Sequence, residues 1–359
     1  MKKSLLALAV LAASGAAMAQ SSVTLYGVAD AGVTYVNGDK NWSGVTSGDN
    51  LTSRIGFRGV EDLGGGLKAN FRLEAGLNLD NGDGNSGYST SNAANGLAFK
   101  RQSTVGLEGG FGEVRLGREL TAAYNATARY DVFGSVGLGQ SRLWADGGVT
   151  DTGAYNTART TNQRVSNAVT YVSPNFSGFK AAVNYGFGEV AGANSDRQYL
   201  GAGLTYDNGP LSLGLGLERL NEDTATNSGK ISVWSLGGSY DLGVAKILAG
   251  YRDSKGDRGA AGDDKTKGYM LAVTAPVGPG LVRASYNRYE YTPAGAAKLK
   301  ADQFAVGYVY GLSKRTSVYG TYAYLKNKDG AKVWRLSNDA AVKDNGAQQG
   351  FQVGVSHSF

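Results

Sequence analysis

From about residue 22 to the end of the chain, apolar and polar residues alternate with a period of two in short segments separated by turn-forming clusters. That period sends successive side chains to opposite faces of an extended strand. In the first segment Val23, Leu25, Gly27, Ala29, Ala31 and Val33 share one face, and Thr24, Tyr26, Asp30 and Thr34 share the other. Ile55 and Phe57 oppose Arg54 and Arg58, and Leu67, Ala69, Phe71 and Leu73 oppose Lys68, Asn70, Arg72 and Glu74. Leu211, Leu213, Leu215 and Leu217 oppose Ser212, Gly214, Gly216 and Glu218. The last segment sets Phe351, Val353, Val355 and Phe359 against Gln352, Gly354, Ser356 and Ser358. No long segment of helical period follows the N-terminal region.

The connections are of two kinds. Tight ones fall at Glu61–Gly66, Gly109–Gly112, Ser173–Gly178, Asp207–Pro210, Asp241–Gly243, Pro276–Gly280 and Gly311–Arg315. Long polar ones cover roughly 37–50, 80–98, 119–161, 188–197, 221–229, 254–266, 292–301 and 327–348. Seven short turns alternating with eight long loops predict sixteen antiparallel strands with one short rim and one long rim, the pattern of a transmembrane β-barrel with short periplasmic turns and long extracellular loops. A closed barrel pairs every backbone group internally, which hydrocarbon demands. Tyr35, Tyr171, Tyr206, Tyr240, Tyr251, Tyr291 and Tyr324 lie near segment ends, where amphipathic rings suit a headgroup boundary. A soluble secreted β-protein also alternates, because it hides one face and wets the other; the strict short–long rhythm favours the barrel.

Residues 1–19 read as a cleaved signal peptide: Lys2 and Lys3, then the small apolar run Ser4 to Ala16, then Ala17-Met18-Ala19 as the cleavage site. The remainder, 20–359, reads as one barrel domain. The chain has no Cys and a single His, with 55 Gly and 21 Tyr in 359 residues. Thiol chemistry and disulfides have no material here and a single His leaves little for His-based catalysis, so a barrel protease or phospholipase is disfavoured. His357 shares parity with the apolar face of the last segment. Gly134–Gly139 lacks the strand–helix setting of a dinucleotide loop, and Asp80–Asn85 misses the EF-hand pattern, so no cofactor and no metal is expected.

With apolar faces outward, parity turns Arg54, Arg58, Lys68, Arg72, Arg115, Arg164, Lys180, Lys246, Arg252 and Arg283 inward, against the acids Asp30, Glu74, Glu113 and Glu218. The lumen should be wet and net basic. Its charges are dispersed over a wall rather than gathered on one surface, which argues against nucleic acid.

Several segments resemble the general porins of Gram-negative outer membranes, in particular the β-proteobacterial branch. They are SSVTLYGVAD from Ser21, SRIGFRGVEDLGGGL from Ser53 to Leu67, GEVRLGR from Gly112 to Arg118, RVSNAVTY from Arg164 to Tyr171, and the terminal Phe359. The resemblance implies a sixteen-stranded barrel in the bacterial outer membrane, a homotrimer, a third loop folded into the lumen, and Phe359 as an assembly signal. Its partners would be outer-membrane lipid and lipopolysaccharide, the assembly machinery, and small hydrophilic solutes and ions. It also implies a pore constriction with a basic wall facing loop acids. Arg54, Arg101 and Arg164 match the wall positions, and Arg72 shares their inward face. Asp131, Glu119 and Asp146, in the 119–161 stretch, are the candidate loop acids. The function so implied is passive diffusion through a water-filled channel with a weak anion preference; a substrate-selective channel on the same barrel is the alternative. No enzymatic activity is implied.

Overall fold

In a computed structural model of the chain the described residues are 22–85, 96–144, 163–188, 197–221, 229–257, 262–337 and 340–359. The expected leader and Asp146 lie outside them. Sixteen strands make the barrel: β1 (Ser22–Asn37), β2 (Arg54–Gly64), β3 (Leu67–Leu77), β4 (Gln102–Gly109), β5 (Gly112–Leu120), β6 (Arg164–Val172), β7 (Phe179–Gly186), β8 (Tyr199–Asn208), β9 (Leu211–Asn221), β10 (Lys230–Asp241), β11 (Lys246–Asp257), β12 (Asp263–Val277), β13 (Gly280–Thr292), β14 (Leu299–Gly311), β15 (Thr316–Lys328) and β16 (Ala347–Ser358). Each pairs antiparallel with its neighbours. The sheet closes because β1 meets β2 on one side (Leu25↔Phe57) and β16 on the other (Val33↔Val353). Two short pieces extend the ladder on the loop side: Trp42–Ser47 against β1, and Gly84–Asn85 against β3. The sixth long connection is shorter than its polar composition suggests, because β11 and β12 stay paired out to Asp257↔Asp263.

The described ends meet at the short-turn rim. Ser22 lies opposite Val60, and the Ser358 N–H donates to the Arg315 carbonyl at 2.8 Å. Phe359 completes the ladder: its N–H donates to the Gly27 carbonyl (3.1 Å) and its carbonyl accepts from Gly27 N–H (3.0 Å). The Phe359 ring occupies the space that a side chain at residue 27 would need.

The outer surface is the apolar parity face. Val23, Leu25, Val33, Leu213, Leu217, Leu271, Phe351 and Val353 are all exposed, as a lipid-facing surface requires. Tyr35, Tyr171, Tyr240 and Tyr324 sit on it, and Trp234, Tyr251 and Tyr269 form a contiguous aromatic row with ring centroids 4.8 and 5.1 Å apart. Above such rings the outward charges begin: Asp302 pairs with Arg288 (2.8 Å) and Lys328 (2.5 Å) and accepts from the Tyr286 hydroxyl. Tyr291 departs from the girdle reading. It is 1 % exposed, because β13 parity turns Tyr289 and Tyr291 inward.

Two loops fill part of the barrel. Residues 121–144 of the third loop run along the inner wall, starting with the one-and-a-half-turn helix α1 (Ala122–Thr127), whose N-cap Thr121 accepts from Tyr124 N–H at 3.1 Å. The loop can lie this close because the wall beneath it is glycine. A Cβ at Gly203 would run into the Ala122 carbonyl, one at Gly214 into the Ala126 carbonyl, one at Gly237 into the Tyr130 ring, one at Gly250 into Trp144 and one at Gly268 into Leu143. These five glycines come from the consecutive strands β8 to β12. The last loop also folds inward, which its polar composition conceals: Ala331, Val333, Trp334 and Leu336 are buried against Tyr289, Leu325 and the third-loop residues Phe133 and Leu138.

Candidate functional site

The arginines picked out by motif and parity converge on one carboxylate. Glu74, on the inward face of β3, accepts from Arg101 Nε at 2.8 Å and faces Arg72 Nη2 at 3.4 Å and Arg54 Nε at 3.7 Å. The Tyr26 hydroxyl donates to the same carboxylate (3.0 Å) and accepts from Arg72 Nε (2.8 Å). Arg58 and Arg72 lie over the Tyr26 ring, 5.5 and 5.3 Å from its centroid. Arg164, opening β6, joins the group through its Nε, which donates to the Arg101 carbonyl at 2.9 Å. Two like unit charges ~4 Å apart repel by roughly 4 kcal/mol at an effective dielectric of ~20. Glu74 and pore water offset that repulsion, and Glu74 is the residue that motif matching passed over. Parity had already turned it inward; its height on the wall was the missing information.

Arg118 is a second residue missed. A register shift between Gly117 and Glu119, with Gly117 at φ 129°, breaks the simple parity of β5. It lets Arg118 donate to the Lys100 carbonyl and to Ser166 Oγ, both at 2.6 Å.

The acids proposed to face this wall are placed differently. Glu119 belongs to β5 rather than to the loop, and its carboxylate pairs with Arg115 at 2.8 Å. Asp131 is in the loop but turned into it. Its Oδ1 accepts from Phe133 N–H (2.9 Å), and its Oδ2 accepts from Ser135 N–H (3.0 Å) and Ser141 N–H (2.8 Å). Burial pushes its pKa up to about 6. Asp131 therefore folds the loop instead of presenting charge to the lumen. Arg283 and Arg252, also inward by parity, hold the loop from behind: Arg283 donates to the Val132 carbonyl and stacks on Phe133, and Arg252 donates to the Leu143 carbonyl.

Asp49, in the excursion between Trp42–Ser47 and β2, borders the lumen beside this cluster. Its Oδ2 accepts from Thr46 Oγ1 at 2.5 Å, and burial, with Asp30 adding to it, raises its pKa to about 6. As pH falls from about 7.5 to about 5 the Asp49 carboxylate gains a proton and the local positive excess grows by one charge. The reversal potential in a KCl gradient should then move further toward the chloride value. Asp49→Asn should remove most of that movement, since Asp131, shifted to the same value, faces its own backbone.

A closed barrel with an apolar outer belt, an ionic lumen and an inward loop defines a transmembrane diffusion channel. The chain matches the Gram-negative porin family over residues 5–330. It is 45% identical over 377 aligned residues to outer membrane porin protein 32 of Delftia acidovorans, with all of both chains covered. Among solved structures, an anion-selective porin from Comamonas acidovorans superposes with a TM-score of 0.83 at 39% identity, covering 95% of this chain and 100% of that one. The trimer form of OmpT from Vibrio cholerae superposes with a TM-score of 0.67 at 17% identity, covering 94% and 99%. The chain belongs to the Gram-negative porin family. It is an outer-membrane barrel with the function of a general diffusion porin.

Proposed function

We propose that the arginine cluster lines the pore constriction and gives this passive, water-filled channel an anion preference, and that the chain performs no covalent chemistry. One observation carries the reading: Arg54, Arg72, Arg101 and Arg164 gather around the single carboxylate of Glu74, while Asp131 and Glu119 are spent elsewhere. Charge rings at a narrow passage set ion preference. Only charges within a Debye length of the permeating ion count, ~8 Å at physiological salt. The 39% identical solved neighbour is described as anion-selective, which supports the same sign here. The working unit is a homotrimer of chains beginning at Gln20, set among outer-membrane lipid and lipopolysaccharide after delivery by the assembly machinery, with Phe359 as the assembly signal; the trimer form of the OmpT neighbour supports that stoichiometry.

The test is the reversal potential of reconstituted channels in a tenfold KCl gradient. Wild type should favour Cl⁻, and the preference should fade as salt rises. Arg54→Ser with Arg164→Ser should shift the potential toward K⁺ while the folded barrel is retained, because both side chains are partly exposed on the lumen face and the outer belt is untouched. A wild-type channel that favours K⁺ would overturn the reading. An unchanged potential in the double variant would show that these two arginines do not line the narrowest part.

A further inference from the structure

A cavity of about 370 Å³ opens beside the arginine cluster, on the side of the long loops. Its size falls in the ~300–1,000 Å³ range of small-molecule sites. Its lining has two chemically distinct parts. One is cationic: Arg101, Arg142 and Arg164. Arg164 donates to the Arg101 carbonyl (2.9 Å) and to Gln163 Oε1 (3.4 Å), and Arg142 Nη2 donates to the Arg335 carbonyl (2.9 Å). Among the described residues neither guanidinium meets a carboxylate, and Arg101 shares Glu74 with two other arginines. The acid on this lining is Asp49, already engaged by Thr46.

The other part is apolar. Trp42 points inward from the short strand, as its pairing opposite the inward Val36 requires. Its ring lies along the strand over Gly44, where an added Cβ would sit 2.8 Å from Trp42 Cζ2. Trp42 packs against the apolar cluster that the last loop shares with Phe133 and Leu138, and it is half-buried. Leu138 and Leu336, 3 % and 5 % exposed, border the same cavity. A chloride ion engages the cationic part alone and leaves the indole wet. A solute with a planar apolar body displaces that water, and aromatic rings add geometry-dependent attraction beyond the area they bury.

We propose that this cavity is a binding subsite for aromatic carboxylates, with the carboxylate held by Arg101, Arg142 and Arg164 and the ring lying on Trp42. The proposal rests on the anion-preferring reading of the lumen and narrows it to a class of solute. Binding must stay weak, because a channel site has to release what it captures.

The experiment titrates the single-channel KCl current of the reconstituted full-length protein with benzoate and, separately, with acetate. Benzoate should reach half-block at a concentration roughly tenfold below acetate, equivalent to ~1.4 kcal/mol. Trp42→Ala should bring benzoate to the acetate level, and Arg142→Ala should weaken block by both acids. Trp42→Leu keeps apolar filler without the ring; it should also lose most of the benzoate advantage, and it decides the matter if Trp42→Ala yields no channels. Equal block by the two acids in wild type, or an undiminished benzoate advantage in the Trp42 variants, overturns the proposal. Equal block together with a Cl⁻ preference in the KCl gradient sinks the subsite alone, whereas loss of the Cl⁻ preference sinks the reading beneath it.

Discussion

Glu74→Gln should make the channel both more anion-selective and less stable. The substitution preserves volume and removes the one carboxylate that Arg54, Arg72 and Arg101 share. Breaking a buried ion pair by removing one partner costs roughly 3–5 kcal/mol. The lower end applies here, because Arg54 and Arg72 are partly open to pore water, with side chains 28% and 44% exposed. The temperature at which the folded band converts to the unfolded band on a gel should fall clearly. The reversal potential in a KCl gradient should move further toward chloride, since the cluster gains one net positive charge. An unchanged reversal potential would mean that Glu74 lies outside the field felt by the permeating ion, and a shift toward K⁺ would mean that the arginines leave the lumen once Glu74 no longer holds them. An unchanged conversion temperature would mean that the arginines need no counter-charge.

Gly203→Val combined with Gly214→Val should lift the third loop from its seat. At both positions the new side chain meets backbone, the Ala122 and Ala126 carbonyls of α1, and backbone cannot rotate aside. Overpacking of this kind costs typically ~1–3 kcal/mol per site. The outward faces of β8 and β9 are untouched, so the barrel should still assemble. The displaced loop has the lumen as its free direction, and single-channel conductance should drop with increased current noise. Gly320→Ala is the control, because an added Cβ there meets nothing closer than 3.8 Å. Wild-type conductance and noise in the double variant would show that the loop is not held against these strands.

The barrel was legible because a membrane imposes its rule on every strand. Lipid on one side and water on the other force a period of two, and the two rims force two loop classes. The arginines were legible for the same reason, since a charge on a strand has one tolerable side. Height along the wall was not legible. Parity places Glu74 and Glu113 on the same inward face, yet the first sits among Arg54, Arg72 and Arg101 and the second pairs with Arg115. The Gly117 register shift also defeats counting by twos, so Glu119 and Arg118 could not be placed from the sequence. The path of the third loop was written in the wall rather than in the loop, as the inward Gly214 and Gly216 opposite outward leucines. In the last loop the apolar residues Val333, Trp334 and Leu336 are spaced among polar ones, and burial depends on what the lumen offers them: the Tyr289 ring, whose centroid lies 6.2 Å from that of Trp334.

The pairing of Phe359 with Gly27 bears on how the molecule is made. The first strand has β2 beside it early in synthesis, but its other edge finds no partner until β16 has emerged. Such a contact spans nearly the whole sequence, the slowest kind to form. Until then β1 presents unpaired N–H and C=O groups beside Val23, Leu25 and Val33, a template for pairing with the wrong chain. Closure therefore waits on β16, and the chain must cross from ribosome to membrane with that seam held open and kept from other chains.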